Sequence, residues 1–158
     1  MTSKRLGRQT VRLGSPVSVL SYANIGGKQE AQGPLAGYFD ELNQDAYFGQ
    51  KSWEKGESAM QQFALRRAME KGGLIPEDLD YVLAGDLLNQ CIGTSFSLRD
   101  FKIPFYGLYG ACSTMGESLS LAALLIDGGF ASIVAAMTSS HFCTAERQYR
   151  MPLPYGSQ

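Results

Sequence analysis

Apolar side chains recur with two different periods along this chain, and the two periods alternate from one segment to the next. Residues 17–22 (VSVLSY) alternate in part between apolar and polar positions, which predicts a first strand. Residues 81–85 (YVLAG) and 105–109 (FYGLY) predict a second and a third strand. Residues 132–138 (SIVAAMT) predict a fourth, and their nearly continuous apolar run is typical of a strand buried on both faces.

A helical period separates the first two of these strands. Met60, Ala64 and Ala68 recur every four residues, which predicts a helix from residue 53 or 57 to residue 71 with this face towards the core. Ser52 is suited to cap the start of the helix, and the two glycines at 72 and 73 predict its end.

The rest of the chain continues the alternation of strands and helices. A short helix or turn is predicted at residues 91–98, and a strongly apolar helix at 113–126. Residues 26–51 are rich in Gly, Gln, Asn and Asp, and so long an excursion is typical of a functional or capping loop. Strands alternating with helices predict an α/β domain with a mainly parallel sheet.

Composition narrows the class of protein. The 158 residues suit one ordinary domain, and a net charge of −1 makes a nucleic-acid partner unfavourable. The longest apolar run, residues 119–126, is far shorter than the roughly 20 residues needed to span a bilayer, and no secretory signal opens the chain. These features predict a soluble, intracellular protein. Residues 150–158 begin another extended segment, from which we expect a longer protein of which this is the front part.

The chain has three widely spaced cysteines and one histidine. Without a C-x-x-C pair, this set favours neither a zinc site nor a disulfide framework, so no metal and no cofactor is predicted. Of the three cysteines, Cys112 is the one whose position suggests a function, because it stands between the third predicted strand and the strongly apolar helix that follows. Ligands bind at the carboxyl ends of parallel strands, and a helix N-terminus favours a thiolate. A nucleophile, a ligand pocket and a small buried residue all remain open readings of this position.

Three long segments carry a resemblance to known proteins. They are DYVLAGDLLNQ at residues 80–90, FYGLYGACSTMGESL at 105–119 and SSHFCTAERQYRMPLPYG at 139–156. The middle segment resembles the nucleophile region of the thiolase superfamily, and the three together resemble the stage V sporulation protein AD family of spore-forming bacteria. The resemblance implies a thiolase-like fold of α/β/α layers, built from two similar halves. It makes residues 1–158 the N-terminal half, with a mainly parallel five-stranded sheet in the order 3-2-4-5-1, and the second half absent from this chain.

The same resemblance implies a function. Members of the family are linked to loading dipicolinic acid (pyridine-2,6-dicarboxylate) into the developing spore and are thought to bind it. The implied partners are dipicolinic acid, a second copy of the protein paired through the third strand, and other proteins of the same uptake system, some of them membrane-bound. The implied location is the cytoplasmic side of the developing spore, at the periphery of its inner membrane. An acyltransferase or condensing enzyme with Cys112 as nucleophile is the alternative, and an assembly scaffold for the uptake system is a third reading.

Candidate site residues follow from the resemblance and from the chemistry of a flat aromatic dianion. Such a ligand calls for helix N-termini, arginine forks and an apolar slot. The ligand-binding candidates are Cys112, Ser113, Thr114, His141, Cys143, Thr144 and Arg147. The backbone N–H groups of Ser113 and Thr114 are expected to face a carboxylate.

Two further residues receive a structural expectation. In the thiolase strand order, the strand before His141 lies two places from the strand that leads to Cys112, roughly 10 Å away. This separation favours His141 as a pocket-rim or core residue over a catalytic base. Asp86 would repel a dicarboxylate, so at most a backbone-orienting or metal-assisted role is expected for it.

Overall fold

The computed structural model describes residues 4–146, which form a three-layered α/β unit with small additions at its amino-terminal end. The strands and helices, in chain order, are β1 (Arg5–Leu6), β2 (Thr10–Val11), β3 (Ile25–Gly26), β4 (Glu41–Leu42), α1 (Trp53–Gly72), β5 (Tyr81–Gly85), α2 (Ile92–Leu98), β6 (Phe105–Gly107), α3 (Thr114–Asp127) and β7 (Val134–Thr138).

The main sheet contains three parallel strands in the order β6-β5-β7. Val82 of β5 is aligned with Phe105 on one side and with Ala135 on the other. The second, third and fourth predicted strands are therefore confirmed, and so is the part of the predicted order, 3-2-4, that they define. Residues 4–146 supply three strands of the predicted five to this sheet.

Successive side chains of β5 point to opposite faces of the sheet and separate the two helical layers. Val82 and Ala84 join a core that contains Leu65 and Met69 of α1 and Leu98 of α2. On the other face, α3 approaches so closely that a side chain at Gly85 would meet Thr114. The predicted α/β/α layering is thus confirmed.

The predicted first strand is wrong for the described residues. Residues 17–22 form no regular secondary structure and pair with no described strand, and Val19, Leu20 and Tyr22 are exposed. The segment instead contacts the end of α1, where the Ser21 hydroxyl donates to the Ala68 carbonyl at 2.8 Å. Partial alternation carried no information about a neighbouring strand.

Helix α1 begins at Trp53, one of the two predicted starts, and ends at Gly72, one residue beyond the predicted end. The Ser52 hydroxyl accepts a hydrogen bond from the Lys55 N–H at 3.3 Å, and Gly73 closes the helix in the left-handed conformation with φ 66°. Its buried face differs from the prediction by one position, because residues 57, 61, 65 and 69 are buried while the predicted stripe at 60, 64 and 68 is half-buried.

Helix α3 packs a row of small residues onto the sheet and exposes apolar ones on its other side. Thr114, Ser118 and Ala122 are buried, whereas Met115 and Leu119 are exposed. Because the sequence of this helix is strongly apolar, we expect it to be the most buried helix of the complete protein. Within the described part of the chain, no helix is both long enough and apolar enough to cross a membrane.

The amino-terminal hairpin β1–β2 is attached to the far end of α3. The Asp127 carboxylate pairs with the Lys4 ammonium at 2.7 Å and accepts the N–H groups of Gly14 and Ser15 at 2.7 and 2.9 Å. The hydrogen bond from Lys4, followed by those from the two N–H groups, lowers the pKa of Asp127. One carboxylate therefore holds the hairpin against the helix.

Candidate functional site

Cys112 lies in the turn that joins β6 to α3, as predicted. The turn comprises residues 110–114, here called the thiol turn, and it includes a short 3-10 segment, Ala111–Ser113, directly before the helix. The side chain of Cys112 is exposed. Ala111 before it has φ 48°, a conformation that costs a residue with a β-carbon about 1 kcal/mol or more. The thiol thus stands on a tight turn at the carboxyl end of the sheet.

The polar groups that follow Cys112 are used within the turn itself. The Ser113 N–H and hydroxyl both donate to the Gly110 carbonyl, at 3.0 and 2.7 Å. The Thr114 N–H and hydroxyl both donate to the Ala111 carbonyl, the hydroxyl at 2.9 Å. The expected arrangement, with these two N–H groups facing a ligand carboxylate, is therefore not the one the structure has. The ligand-binding role of the two residues stays a prediction.

A carboxylate already lies beside this helix terminus. Glu117, in the first turn of α3, packs against Gly110 so closely that a β-carbon added there would come within 2.6 Å of its Oε2. A negative charge at this position compensates the positive end of the helix dipole. It also makes the immediate surroundings of Cys112 less favourable for a dianion.

His141, placed just after β7, has both ring nitrogens engaged. Nε2 lies 2.8 Å from the Ala46 carbonyl oxygen, and Nδ1 lies 3.2 Å from the Cys143 N–H. A carbonyl only accepts and a backbone N–H only donates, so the ring carries its proton on Nε2 and is neutral. The ring thereby fastens the long loop of residues 26–51 to the segment after β7. The geometry agrees with the expected rim or core role and gives no support to a base.

Three candidate residues remain, and two of them lie within the part of the chain that the structure describes. Cys143 and Thr144 belong to a π-helical turn, Phe142–Glu146, that continues from His141. Thr144 is buried and points into the protein, while Cys143 is half-buried. Arg147 lies outside the described residues.

Beneath this end of the sheet lies a buried network of polar side chains that connects four elements. Its members are Glu57 and Gln61 of α1, Asp86 after β5, Thr94 and Ser97 of α2, Ser139 after β7, and Thr144. Glu57, Gln61, Asp86, Thr94 and Ser97 are each at most 2 % exposed. A continuous hydrogen-bonded path joins the carboxyl ends of β5 and β7 to the two helices on one face.

Asp86 anchors one end of the network. Its carboxylate accepts the Leu88 N–H at 2.8 Å, the Thr94 N–H at 2.7 Å and the Thr94 hydroxyl at 2.5 Å. Among the described residues, the side-chain oxygens of Asp86 meet three donors, which is the environment of an ionised carboxylate. The predicted backbone-orienting role of Asp86 is confirmed, since two of the three donors are backbone groups.

Glu57 anchors the other end. Its two oxygens lie 2.6 Å from the Ser139 hydroxyl and 2.7 Å from the Thr144 hydroxyl. Burial raises the pKa of Glu57 and the nearby charge of Asp86 adds to this, while the hydrogen bonds from the two hydroxyls oppose it. Sequence reasoning did not single out Glu57 or Gln61. The available signal was their position, four residues apart and in line with Leu65 and Met69.

Gly85, the last residue of β5, joins the network to the thiol turn. Its carbonyl accepts the Ser139 N–H at 3.2 Å, and its α-carbon lies under Thr114 and the Leu108 carbonyl. The Leu108 carbonyl in turn accepts the thiol of Cys91 at 3.2 Å. The absence of a side chain at Gly85 lets the two clusters meet at one edge of the sheet.

Comparison with known proteins of similar sequence indicates the family of this chain. Residues 7–158 match the protein family described as Stage V sporulation protein AD. Stage V sporulation protein AD of Bacillus subtilis (strain 168) is 43% identical over 155 residues, which cover 98% of this chain and 46% of that protein. The chain thus spans about half the length of this relative.

Two solved structures of synthases are also similar in part. They are 3-oxoacyl-[acyl-carrier-protein] synthase III from Aquifex aeolicus VF5 (20% identity, TM-score 0.49) and the priming β-ketosynthase of the R1128 polyketide pathway (21% identity, TM-score 0.47). Each match covers 54% of this chain, and 30% and 28% of the respective structures. On the sequence match, the chain belongs to the stage V sporulation protein AD family.

Proposed function

We propose that this sporulation protein binds dipicolinic acid and supports its uptake into the developing spore. The observation that carries the proposal is the meeting of two candidate segments at one edge of the sheet. The thiol turn and the segment 139–144 are linked there through Gly85. Ligands of open parallel sheets bind at this edge.

Binding is favoured over acyl transfer by the state of the polar groups around Cys112. A thiol nucleophile is activated by a base within hydrogen-bonding reach or by surroundings that lower its pKa, and the Glu117 carboxylate beside this helix N-terminus works against the second route. His141, the one histidine of this chain, has both ring nitrogens engaged elsewhere. The hydroxyls of Ser113 and Thr114 donate to carbonyls of their own turn. Neither the ring of His141 nor these two hydroxyls is therefore placed to take the proton of Cys112.

The acidic groups on this side of the protein mean that a dicarboxylate ligand requires positive charges nearby. Glu117 beside the thiol turn and Asp86 beneath it are both acidic, and a dicarboxylate requires compensating cations. Arg147 is the proposed source within this chain. It follows the turn that holds Cys143 and Thr144, and its guanidinium offers the fork that a carboxylate matches.

The proposal is tested by calorimetry of dipicolinate binding to the intact protein. Saturable binding is expected, and it should be weakened at least tenfold by Arg147→Ala, with the exposed Arg99→Ala as the matched control. Absence of binding by the wild type contradicts the proposal. The acyltransferase alternative has its own test, because incubation with an acyl-coenzyme A followed by mass measurement would reveal an adduct on Cys112.

We also propose that the protein is a homodimer paired through β6. Within the described residues, β6 pairs with β5 on one side only, and Tyr106 at its centre is 52% exposed. An unpaired edge is a template for a second strand. Light scattering on the intact protein at micromolar concentration should give twice the monomer mass, and a pure monomer contradicts the pairing.

The proposed setting is the cytoplasmic side of the developing spore, at its inner membrane, with the other proteins of the uptake system as partners. A pull-down from sporulating cells tests this, and variants that have lost dipicolinate binding are compared in parallel. If a variant without ligand binding still recovers the membrane partners and still supports uptake, the scaffold reading replaces the binding one.

A further inference from the structure

We infer that, of the two carboxyl groups in the buried network, that of Glu57 is protonated and that of Asp86 is ionised. The neutral acid of Glu57 holds the segment after β7 against α1. The argument rests on counting hydrogen-bond donors and acceptors, since each hydroxyl supplies a single proton. It concerns a property of the network that does not depend on the identity of the ligand.

Thr144 provides the first count. Its hydroxyl oxygen lies 2.7 Å from Oε2 of Glu57 and 2.8 Å from the carbonyl oxygen of His141. If Glu57 is ionised, these two acceptors share a single proton, as the Gln61 amide oxygen and the Thr94 carbonyl share that of Ser97. If Glu57 is protonated on Oε2, its O–H donates to Thr144 and Thr144 donates to His141.

The other oxygen of Glu57 fits the same assignment. The Ser139 hydroxyl donates to Oε1 at 2.6 Å while accepting from Nε2 of Gln61 at 2.5 Å. The result is an unbroken series in which each group donates once to the next: Gln61, Ser139, Glu57, Thr144 and the His141 carbonyl. A neutral carboxylic acid, which both accepts and donates, is the form that completes the series.

Asp86 explains where the charge of the network resides. It receives three donors, whereas Glu57 receives one hydroxyl outright and shares the second. Two carboxyl groups in one buried network separate in this way, one ionised and one neutral, when their surroundings differ. The titratable groups that face Glu57 from neighbouring described elements are Asp86, which disfavours its ionisation, and the neutral ring of His141. Burial acts in the same direction as Asp86.

The consequence is a positioning role. Glu57 reaches from α1 to both ends of the segment 139–144, which carries His141 and Cys143. Loss of the proton turns the contact between Thr144 and either Glu57 or the His141 carbonyl into one between two acceptors. The segment should then loosen. Its relevance to ligand binding rests on the proposed function, whereas the protonation itself does not.

The sign of the pH dependence follows from the raised pKa of Glu57. The folded protein retains a proton that the unfolded chain releases near pH 4.5, so this site stabilises the fold most at low pH. The contribution is lost as the pH rises from that value through the pKa of the folded state. Glu57→Gln mimics the neutral acid, because its amide accepts from Ser139 and donates to Thr144, and it does not titrate.

The experiment compares melting temperatures of the intact wild type and Glu57→Gln between pH 5 and pH 8. The two should be similar at pH 5, and the wild type should fall below the variant as the pH rises. Glu70→Gln, on the exposed side of α1, is the control and should show no such trend. A Glu57→Gln protein that is the less stable one, by a margin that grows with pH, overturns the inference.

Infrared spectroscopy gives a second measurement that does not require the variant to fold. The wild type at pH 7 should show the carbonyl stretch of a protonated carboxylic acid, and Thr144→Val should shift this band. Absence of the band from the wild type overturns the inference. A wild type that shows the band but binds no dipicolinate refutes the proposed function alone.

Discussion

Removal of the Asp86 carboxylate should be among the most damaging single changes in this chain. Asp86 is 1% exposed and accepts three hydrogen bonds, two from backbone N–H groups and one from the Thr94 hydroxyl. Asp86→Ala leaves all three donors without this acceptor in the protein interior. The segment between β5 and α2 and the start of the buried network lose their common anchor.

The magnitude follows from these contacts. Hydrogen bonds to a charged group each contribute about 1.5–3 kcal/mol, so three of them set an upper limit well above what single substitutions usually cost. The Thr94 hydroxyl is able to rotate and water is able to enter, and both reduce the loss. We expect Asp86→Ala to lower the free energy of unfolding by about 3–4 kcal/mol. Asp86→Asn keeps one acceptor oxygen and should lose about 2 kcal/mol.

Urea denaturation of the intact protein measures this effect. With a slope of about 2 kcal/mol/M, the midpoint for Asp86→Ala should fall by about 1.5–2 M. Asp100→Ala is the matched control, because Asp100 is an exposed carboxylate that pairs with its neighbour Arg99, and it should change stability by less than about 0.5 kcal/mol. A loss of under about 1 kcal/mol for Asp86→Ala would refute the view that this carboxylate anchors the network.

Three further changes test other parts of the structure. Gly85→Ala should destabilise by about 1–3 kcal/mol in thermal unfolding, because its methyl group has no room against the backbone that leads to the thiol turn. Gly116→Ala, with open space around it, should instead stabilise α3 by up to about 1 kcal/mol, and equal effects of the two would contradict the packing at Gly85. Asp127→Asn should speed amide hydrogen exchange in the β1–β2 hairpin. Since the pKa of Asp127 is lowered in the fold, the same attachment is present above about pH 4 and is lost as the pH falls through that lowered value; unchanged protection argues against it. Finally, iodoacetamide should modify Cys112 well before Cys91, because burial raises the pKa of the Cys91 thiol; peptide mass mapping that finds the reverse order would contradict the described exposures.

Much of the fold was predictable because local residues determine it. A serine cap and a left-handed glycine define α1 at Ser52 and Gly73, and they act on the nearest turn of backbone. The strands β5 and β7 were recognisable from apolar runs of the right length. The position of Cys112 between a strand and a helix followed from the same two signals, which is why the thiol turn was found where expected.

The failures have a common physical cause, which is that the missing information is not local. Residues 17–22 have the pattern of a strand, but pairing depends on a neighbour that the pattern does not contain. Glu57 and Gln61 were not singled out, because hydropathy treats a carboxyl group and an amide as exposed. Their burial depends on Ser139, which is 82 residues from Glu57 in the chain and 78 from Gln61. A polar residue is buried in a core when residues distant in the chain provide its hydrogen-bond partners.

His141 illustrates the division within the candidate site. The two-place separation between the strand before it and the strand that leads to the thiol was anticipated, so a rim or core role could be favoured over that of a base. Its contact with the Ala46 carbonyl could not be anticipated, because the long loop of residues 26–51 has no periodic pattern from which to place it. The state of the ring therefore became evident only from the structure.

Calorimetry of dipicolinate binding to two Cys112 variants of the intact protein is the most direct test of the central claim, that the cysteine marks a ligand pocket and does not act as a nucleophile. Cys112→Ala removes at most one weak S–H hydrogen bond of about 1 kcal/mol, so binding should stay within a few-fold of the wild type. Cys112→Asp places a negative charge beside a dianion and should abolish binding. If Cys112→Ala destroys binding while Cys112→Asp preserves it, the account of this site is wrong.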